Sequence, residues 1–182
     1  MKSRIKCLEG GEIFYGVGGC TKIGLVRSEI RRPMYLDIED MFNKYKDKKL
    51  RVHVTKIQDG FVGLNILDIE RSEEKLQTYK YVFNNDCSNG KYSFGTEEDI
   101  IATPDTPILK KDGSTVPLED LNCGDEVVSI KRLIYSNKVS VCTSRLFHSF
   151  KYYKEYVYNV VLRYNGYHFC ANGFFIGGCV ND

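Results

Sequence analysis

Between Ile100 and Ile130 the chain reads IIATPDTPILKKDGSTVPLEDLNCGDEVVSI, and this stretch restricts the fold more than any other. Ile100-Ile101-Ala102-Thr103 is a short apolar run closed by Pro104. Asp112-Gly113 separates Pro107-Ile108-Leu109 from Val116-Pro117-Leu118. Aspartate-glycine between two apolar runs is a strong hairpin signal, because both residue types tolerate the left-handed backbone of a tight turn. Asn122-Cys123-Gly124-Asp125 makes a second turn before Glu126-Val127-Val128-Ser129-Ile130. Runs this short, punctuated this often, cannot be helices, so the stretch predicts strand, turn, short strand, turn and strand.

The same grammar holds elsewhere. GGEIFYGVGG, residues 10–19, denies a helix and predicts extended chain with tight bends. Thr21 to Val26 predicts a strand. Arg51–Lys56, Phe61–Ile69 and Leu76–Phe83 are strand-like runs, the first two separated by Gln58-Asp59-Gly60. A polar loop from Asn84 to Gly90 leads through Lys91–Gly95 back to the central stretch. Val139 to Leu146 reads as strand within an otherwise indistinct region. Glu155–Arg163, a Tyr164-Asn165-Gly166 turn and His168–Cys179 complete the chain. One helix is predicted: Asp37 as N-cap, then Ile38, Met41, Phe42 and Tyr45 at helical spacing, giving Asp37–Tyr45. The expected fold class is all-β with one short helix.

Composition narrows the function. The 182 residues make one domain. A net charge of +2, with basic residues scattered among acidic ones, argues against a nucleic-acid partner. No apolar run reaches the roughly 20 residues of a membrane span, and the basic Met1–Lys6 segment is not followed by the hydrophobic core of a signal peptide. The cysteines are Cys7, Cys20, Cys87, Cys123, Cys142, Cys170 and Cys179, odd in number, widely spaced and without a CxxC. That usage predicts reduced thiols in an intracellular compartment. His53, His148 and His168 are far apart, so no metal site is expected, nor any cofactor.

Thr103-Pro104-Asp105-Thr106-Pro107 and Asp120-Leu121-Asn122-Cys123-Gly124-Asp125-Glu126-Val127 resemble a characteristic block of the inteins and other Hint domains, T-x-D-H-P followed by D-L-x-x-G-D-x-V. Gly16-Val17-Gly18-Gly19-Cys20-Thr21-Lys22-Ile23 resembles their N-terminal block, C-L-x-G-D-T-x-I. Val157-Tyr158-Asn159-Val160 followed by Ala171-Asn172-Gly173-Phe174 resembles their C-terminal block, V-Y-D-L followed by H-x-F-x-A-N-G-x-x-V-H-N. The resemblance implies a β-horseshoe of mini-intein size over residues 16–179, with an N-terminal extended arm at 1–15 and a short tail at 180–182. It also implies that Ile100–Thr103, Val157–Leu162 and Thr21–Leu25 converge, with Thr106, Gly16 and Gly178 on one side of the molecule.

The chemistry of that family needs a thiol or hydroxyl at the first position, a histidine to protonate the departing amine, a second nucleophile downstream, and a terminal Asn that cyclises. Here the first position falls on Gly16, the block histidine on Thr106, the C-terminal-block histidine on Tyr167, and the terminal His-Asn pair on Gly177 and Gly178. Only Cys179, the downstream nucleophile, survives. Another register starts the first block at Cys7-Leu8-Glu9-Gly10. The expectation is a catalytically inactive intein-like domain kept as a structural or protein-interaction module. Use of Lys, Asn, Ile, Tyr and Phe typical of an A/T-rich genome, with the resemblance to a family that viruses and phages often carry, suggests a component of a viral or phage particle, and any cellular scaffold is equally compatible. The competing expectation is self-processing through Cys7 or Cys20. The arm at 1–15 is expected to run past the former junction as extended chain, paired with the C-terminal strand or a partner's sheet edge.

Overall fold

The computed structural model describes residues 14–25, 34–45, 50–56, 60–85, 98–132 and 139–180. Within them the order is β1 (Val17–Gly18), β2 (Lys22–Leu25), β3 (Met34–Asp37), α1 (Ile38–Tyr45), β4 (Arg51–Lys56), β5 (Gly60–Asn65), β6 (Asp68–Arg71), β7 (Leu76–Asn85) and β8 (Glu98–Ala102). There follow β9 (Pro107–Leu109), β10 (Thr115–Pro117), a 3-10 turn at Leu118–Asp120, β11 (Glu126–Arg132), β12 (Val139–Glu155), β13 (Val157–Leu162), β14 (His168–Ala171), β15 (Phe174–Gly177) and β16 (Cys179–Val180). All sixteen strands join in one folded-over sheet, the all-β horseshoe with one short helix that the turn chemistry predicts.

β13 is the strand on which the chain's first and last described strands meet. Its six residues are all buried, as befits a near-continuous apolar run with neighbours on both edges. One edge carries β6, with Tyr158 opposite Arg71 and Val161 opposite Asp68. β1 pairs antiparallel to it through Val17–Tyr158 and Gly18–Val157, and β16 pairs parallel to it through Val161–Cys179. β1 also pairs with β8 through Val17–Ala102. Two of the runs expected to converge, Ile100–Thr103 and Val157–Leu162, are thus joined through β1, whereas the third, Thr21–Leu25, pairs as β2 with β3, β4 and β14 instead.

The core closes over this seam. Val17, Ile100, Ala102, Tyr158, Val160, Phe169 and Phe174 belong to one buried cluster with Phe83, whose ring centroid lies 4.6 Å from that of Phe174. The helix packs its buried Ile38 and Met41 inward. Its first N–H groups, those of Ile38 and Glu39, donate to the carbonyls of Thr21 and Gly19, while the Asp37 carboxylate pairs with Lys22.

The hairpin at Asp112-Gly113 forms between β9 and β10, with Gly113 at positive φ and Asp112 Oδ1 accepting the Ser114 N–H. The Phe61–Ile69 run splits: β5 pairs with β4, β6 with β13, and Leu67 crosses between them by donating its N–H to Val161 O. β12 runs to Glu155, well beyond the expected Leu146, and Tyr156 breaks the Glu155–Arg163 run. The arm at 1–15 lies outside the described residues except for Phe14 and Tyr15. β16 includes Val180, so the expected boundary after Cys179 falls within a strand.

The Asn172-Gly173 turn ties three parts of the sheet together. Both residues have positive φ, 50° and 85°, the backbone that a two-residue hairpin loop demands. Asn172 Oδ1 accepts the Lys22 N–H at 2.7 Å, and Asn172 Nδ2 donates to Asp99 O at 3.0 Å. Asn172→Ala loses both bonds and strains the backbone, at an expected cost of roughly 2–3 kcal/mol. Asn172→Gly keeps the φ and should cost less. Urea unfolding of the two variants checks the order, and equal losses would assign the whole effect to the side chain.

Candidate functional site: a hydrogen-bonded peptide bond at the sheet seam

The residues matched to the family's reactive positions come together, but as main chain packed on main chain. Gly16 lies where β1 enters the seam. Its N–H donates to Thr103 Oγ1 at 3.1 Å, and its carbonyl accepts from Thr103 N–H and from Thr106 Oγ1, each at 3.0 Å. Thr103 and Thr106 hydroxyls are 3.0 Å apart and buried. Each hydroxyl has one proton. Thr106 spends its proton on Gly16 O, so Thr103 donates to Thr106 and accepts from Gly16 N–H. The ring of bonds thus runs in one direction with every donor used.

The bond before Gly16 is held from its other end. Asn159 is fully buried on β13; its Nδ2 donates to Tyr15 O at 3.2 Å, while its Oδ1 accepts Val160 N–H at 2.8 Å. The Tyr15–Gly16 peptide is therefore fixed through its N–H by Thr103 and through its C=O by Asn159. Such a clamp orients a carbonyl and polarises it.

Space excludes side chains at the two residues matched to the family's junction positions. A Cβ on Gly16 would lie 2.3 Å from Tyr158 O and 2.8 Å from Tyr158 C. One on Gly178 would lie 2.8 Å from Val160 O and 2.9 Å from Leu162 Cδ1. One on Gly177 would meet Pro107 Cβ at 3.1 Å. The glycines let two chain segments approach β13 more closely than any other residue allows.

The remaining candidates lie around this clamp. Tyr167 packs against the core from a partly buried position. His168, its neighbour, is buried opposite Gly177 in the β14–β15 pair, with Nε2 2.8 Å from Thr115 Oγ1. Cys179 pairs its main chain with Val161. Cys20 is exposed in the turn after β1; partial burial first, then the negative charge of Glu155, pushes its thiol upward. A raised thiol is a poorer source of thiolate at neutral pH. Cys170 is fully buried, its thiol pushed up to about 12 by desolvation. Cys7 lies outside the described residues. Among the described residues, no helix is long and apolar enough to cross a membrane, and no group of three or more His, Cys, Asp and Glu could hold a metal ion.

Sequence reasoning singled out Gly16 and Thr106 and quoted Thr103 and Asn159 only as parts of motifs. The signal for Asn159 was present: a polar residue inside an otherwise apolar buried run is retained only with partners.

This seam, with the residues matched to the family's two junctions beside one strand and β1 between β8 and β13, has the arrangement of the intein or Hint fold. The comparisons agree. An Ssp DnaB mini-intein variant, M86, superimposes with a TM-score of 0.68 at 15% identity, covering 92% of this chain and 96% of that one. A DnaB intein from Synechocystis sp. PCC 6803 gives 0.65 at 15% identity over 91% and 99%. The transcription factor IIB Mvu mini-intein gives 0.63 at 16% identity over 91% and 100%. No family model matches the sequence, and no curated protein does.

Proposed function

We propose that this chain is a catalytically inactive intein-like domain that serves as a structural or protein-interaction module. The observation that carries the reading is the packing at Gly16 and Gly178, where the main chain of β13 occupies the volume a nucleophile or a cyclising Asn would need. The closed hydrogen-bond ring supports it: Thr106, at the histidine's position, has its proton committed to Gly16 O. A component of a viral or phage particle is the setting we favour, on the A/T-rich residue usage and the resemblance to a family that viruses and phages often carry. Self-processing through Cys20 is the weaker reading, because its thiol is pushed away from the reactive form.

The test is intact mass. Purified chain held for days with dithiothreitol or hydroxylamine should keep its full mass of 20.9 kDa. Fragments cut before Cys7, Gly16 or Cys20 would establish self-processing instead.

A further inference from the structure

β12 is a long strand with one edge only half used. β11 covers its outer edge from Val139 to Arg145, and Leu146 then bonds to Asp125 and Gly124 of the neighbouring turn. Phe147 O takes the Cys123 thiol proton. Beyond that point, among the described residues, only β7 pairs with β12, on the inner edge. The exposed residues here include Phe147, Phe150 and Tyr153, at 50%, 44% and 72%. Phe147 and Phe150 form a ladder with His148: Phe147 meets His148 edge-on at 4.9 Å, and His148 stacks on Phe150 at 5.7 Å, while Tyr153 packs on Tyr152.

The register assigns faces. His148 and Phe150 lie opposite Val82 and Lys80, so they share one face; Ser149 and Lys151 lie opposite Tyr81 and Tyr79, so they share the other. A strand added outside β12 would meet aromatic rings on one face and a lysine on the other. From His148 to Lys154 the strand has two cationic side chains, Lys151 and Lys154, and no carboxylate, while Arg145 further back is already paired with Glu126. A second copy would therefore bring like charges together, whereas an acidic segment would be attracted. The bulges after Leu146 and Lys151 leave the regular window short and limit the docked segment to a few residues.

We propose that the outer edge of β12, from His148 to Lys154, docks an extended acidic segment of a partner protein as an added strand, its carboxylates alternating with apolar side chains. Main-chain bonds along the open edge supply the common attraction, and the Phe147–Phe150 ladder and Lys151 supply selectivity.

The probe is a fluorescein-labelled peptide of alternating Glu and Val, titrated into the full chain and followed by anisotropy. A Lys-Val peptide, a Glu-Val peptide N-methylated at alternate amides, and a thymidine oligonucleotide serve as controls. The Glu-Val peptide should bind roughly tenfold or more tighter than the Lys-Val peptide, and N-methylation should abolish binding. Amide exchange should slow at His148–Lys154. Lys151→Glu, at an exposed position, should reverse the preference while leaving circular dichroism unchanged. Equal binding of the two peptides, no binding at millimolar concentration, protection elsewhere, or a preference for the oligonucleotide would overturn the proposal. So would self-association by sedimentation that Lys151→Glu abolishes, which would make a second copy the occupant. These outcomes are independent of the mass test at the Tyr15–Gly16 junction.

Discussion

Replacing Gly16 by cysteine should destabilise the protein by roughly 2–3 kcal/mol and restore no reaction. The new Cβ would stand 2.3 Å from Tyr158 O, and the atom it meets is main chain in a fully buried strand, which cannot swing aside as a side-chain tip could. Relief requires β1 to move off β13, breaking the Val17–Tyr158 and Gly18–Val157 pairing. Because the clash lies at the Cβ and not at the sulfur, Gly16→Ala should cost as much as Gly16→Cys. Urea unfolding of the pair, with amide exchange at Val157 and Tyr158, makes the measurement. A neutral Gly16→Ala would remove the packing argument for inactivity. The same reasoning extends to the combined change Gly16→Cys, Thr106→His, Gly177→His and Gly178→Asn, where the last side chain would meet Val160 O at 2.8 Å.

The second large effect is expected from the hydroxyl ring. Thr103→Val keeps the branched shape but leaves the buried Gly16 N–H without its acceptor, at roughly 1–3 kcal/mol. Thr106→Val removes one donor to Gly16 O, which retains the bond from Thr103 N–H. Thr103→Val should therefore be the more damaging of the two. Since both hydroxyls belong to one ring, the double variant should lose less than the sum of the singles. Strict additivity in equilibrium unfolding would mean that the hydroxyls act separately and that the direction inferred for the ring is wrong.

Much of this architecture was legible in short-range chemistry. Asp112-Gly113 announced a hairpin, whereas the Asn172-Gly173 turn, with both residues at positive φ, lay inside a run read as continuous from His168 to Cys179. The helix followed from the spacing of Ile38, Met41, Phe42 and Tyr45, and its observed span is Ile38–Tyr45. Partner exchange was not legible. The apolar pattern of Phe61–Ile69 is continuous, yet β5 and β6 pair with strands far apart in sequence, because periodicity reports burial and not which neighbour provides it. β12 escaped notice past Leu146 because both of its faces there are exposed, so alternation, the usual strand signal, is missing. At the site, motif matching located Gly16 and Thr106. The hydrogen-bond ring needed three-dimensional register, since Thr103 and Gly16 are 87 positions apart.

The seating of β1 and β16 in succession along β13 also bears on what could be attached to this domain. Tyr158 and Val161, their contact points, are three positions apart, roughly 10 Å of strand. Polypeptide joined where β1 begins and β16 ends would see a gap no wider than an ordinary surface loop spans. The domain could then ride on a host protein as a bulky loop, its entry and exit costing the host little closure entropy. Such a graft would be silent to the host's own fold while carrying β12 outward from the seam, where its Glu155 end lies beside Gly18.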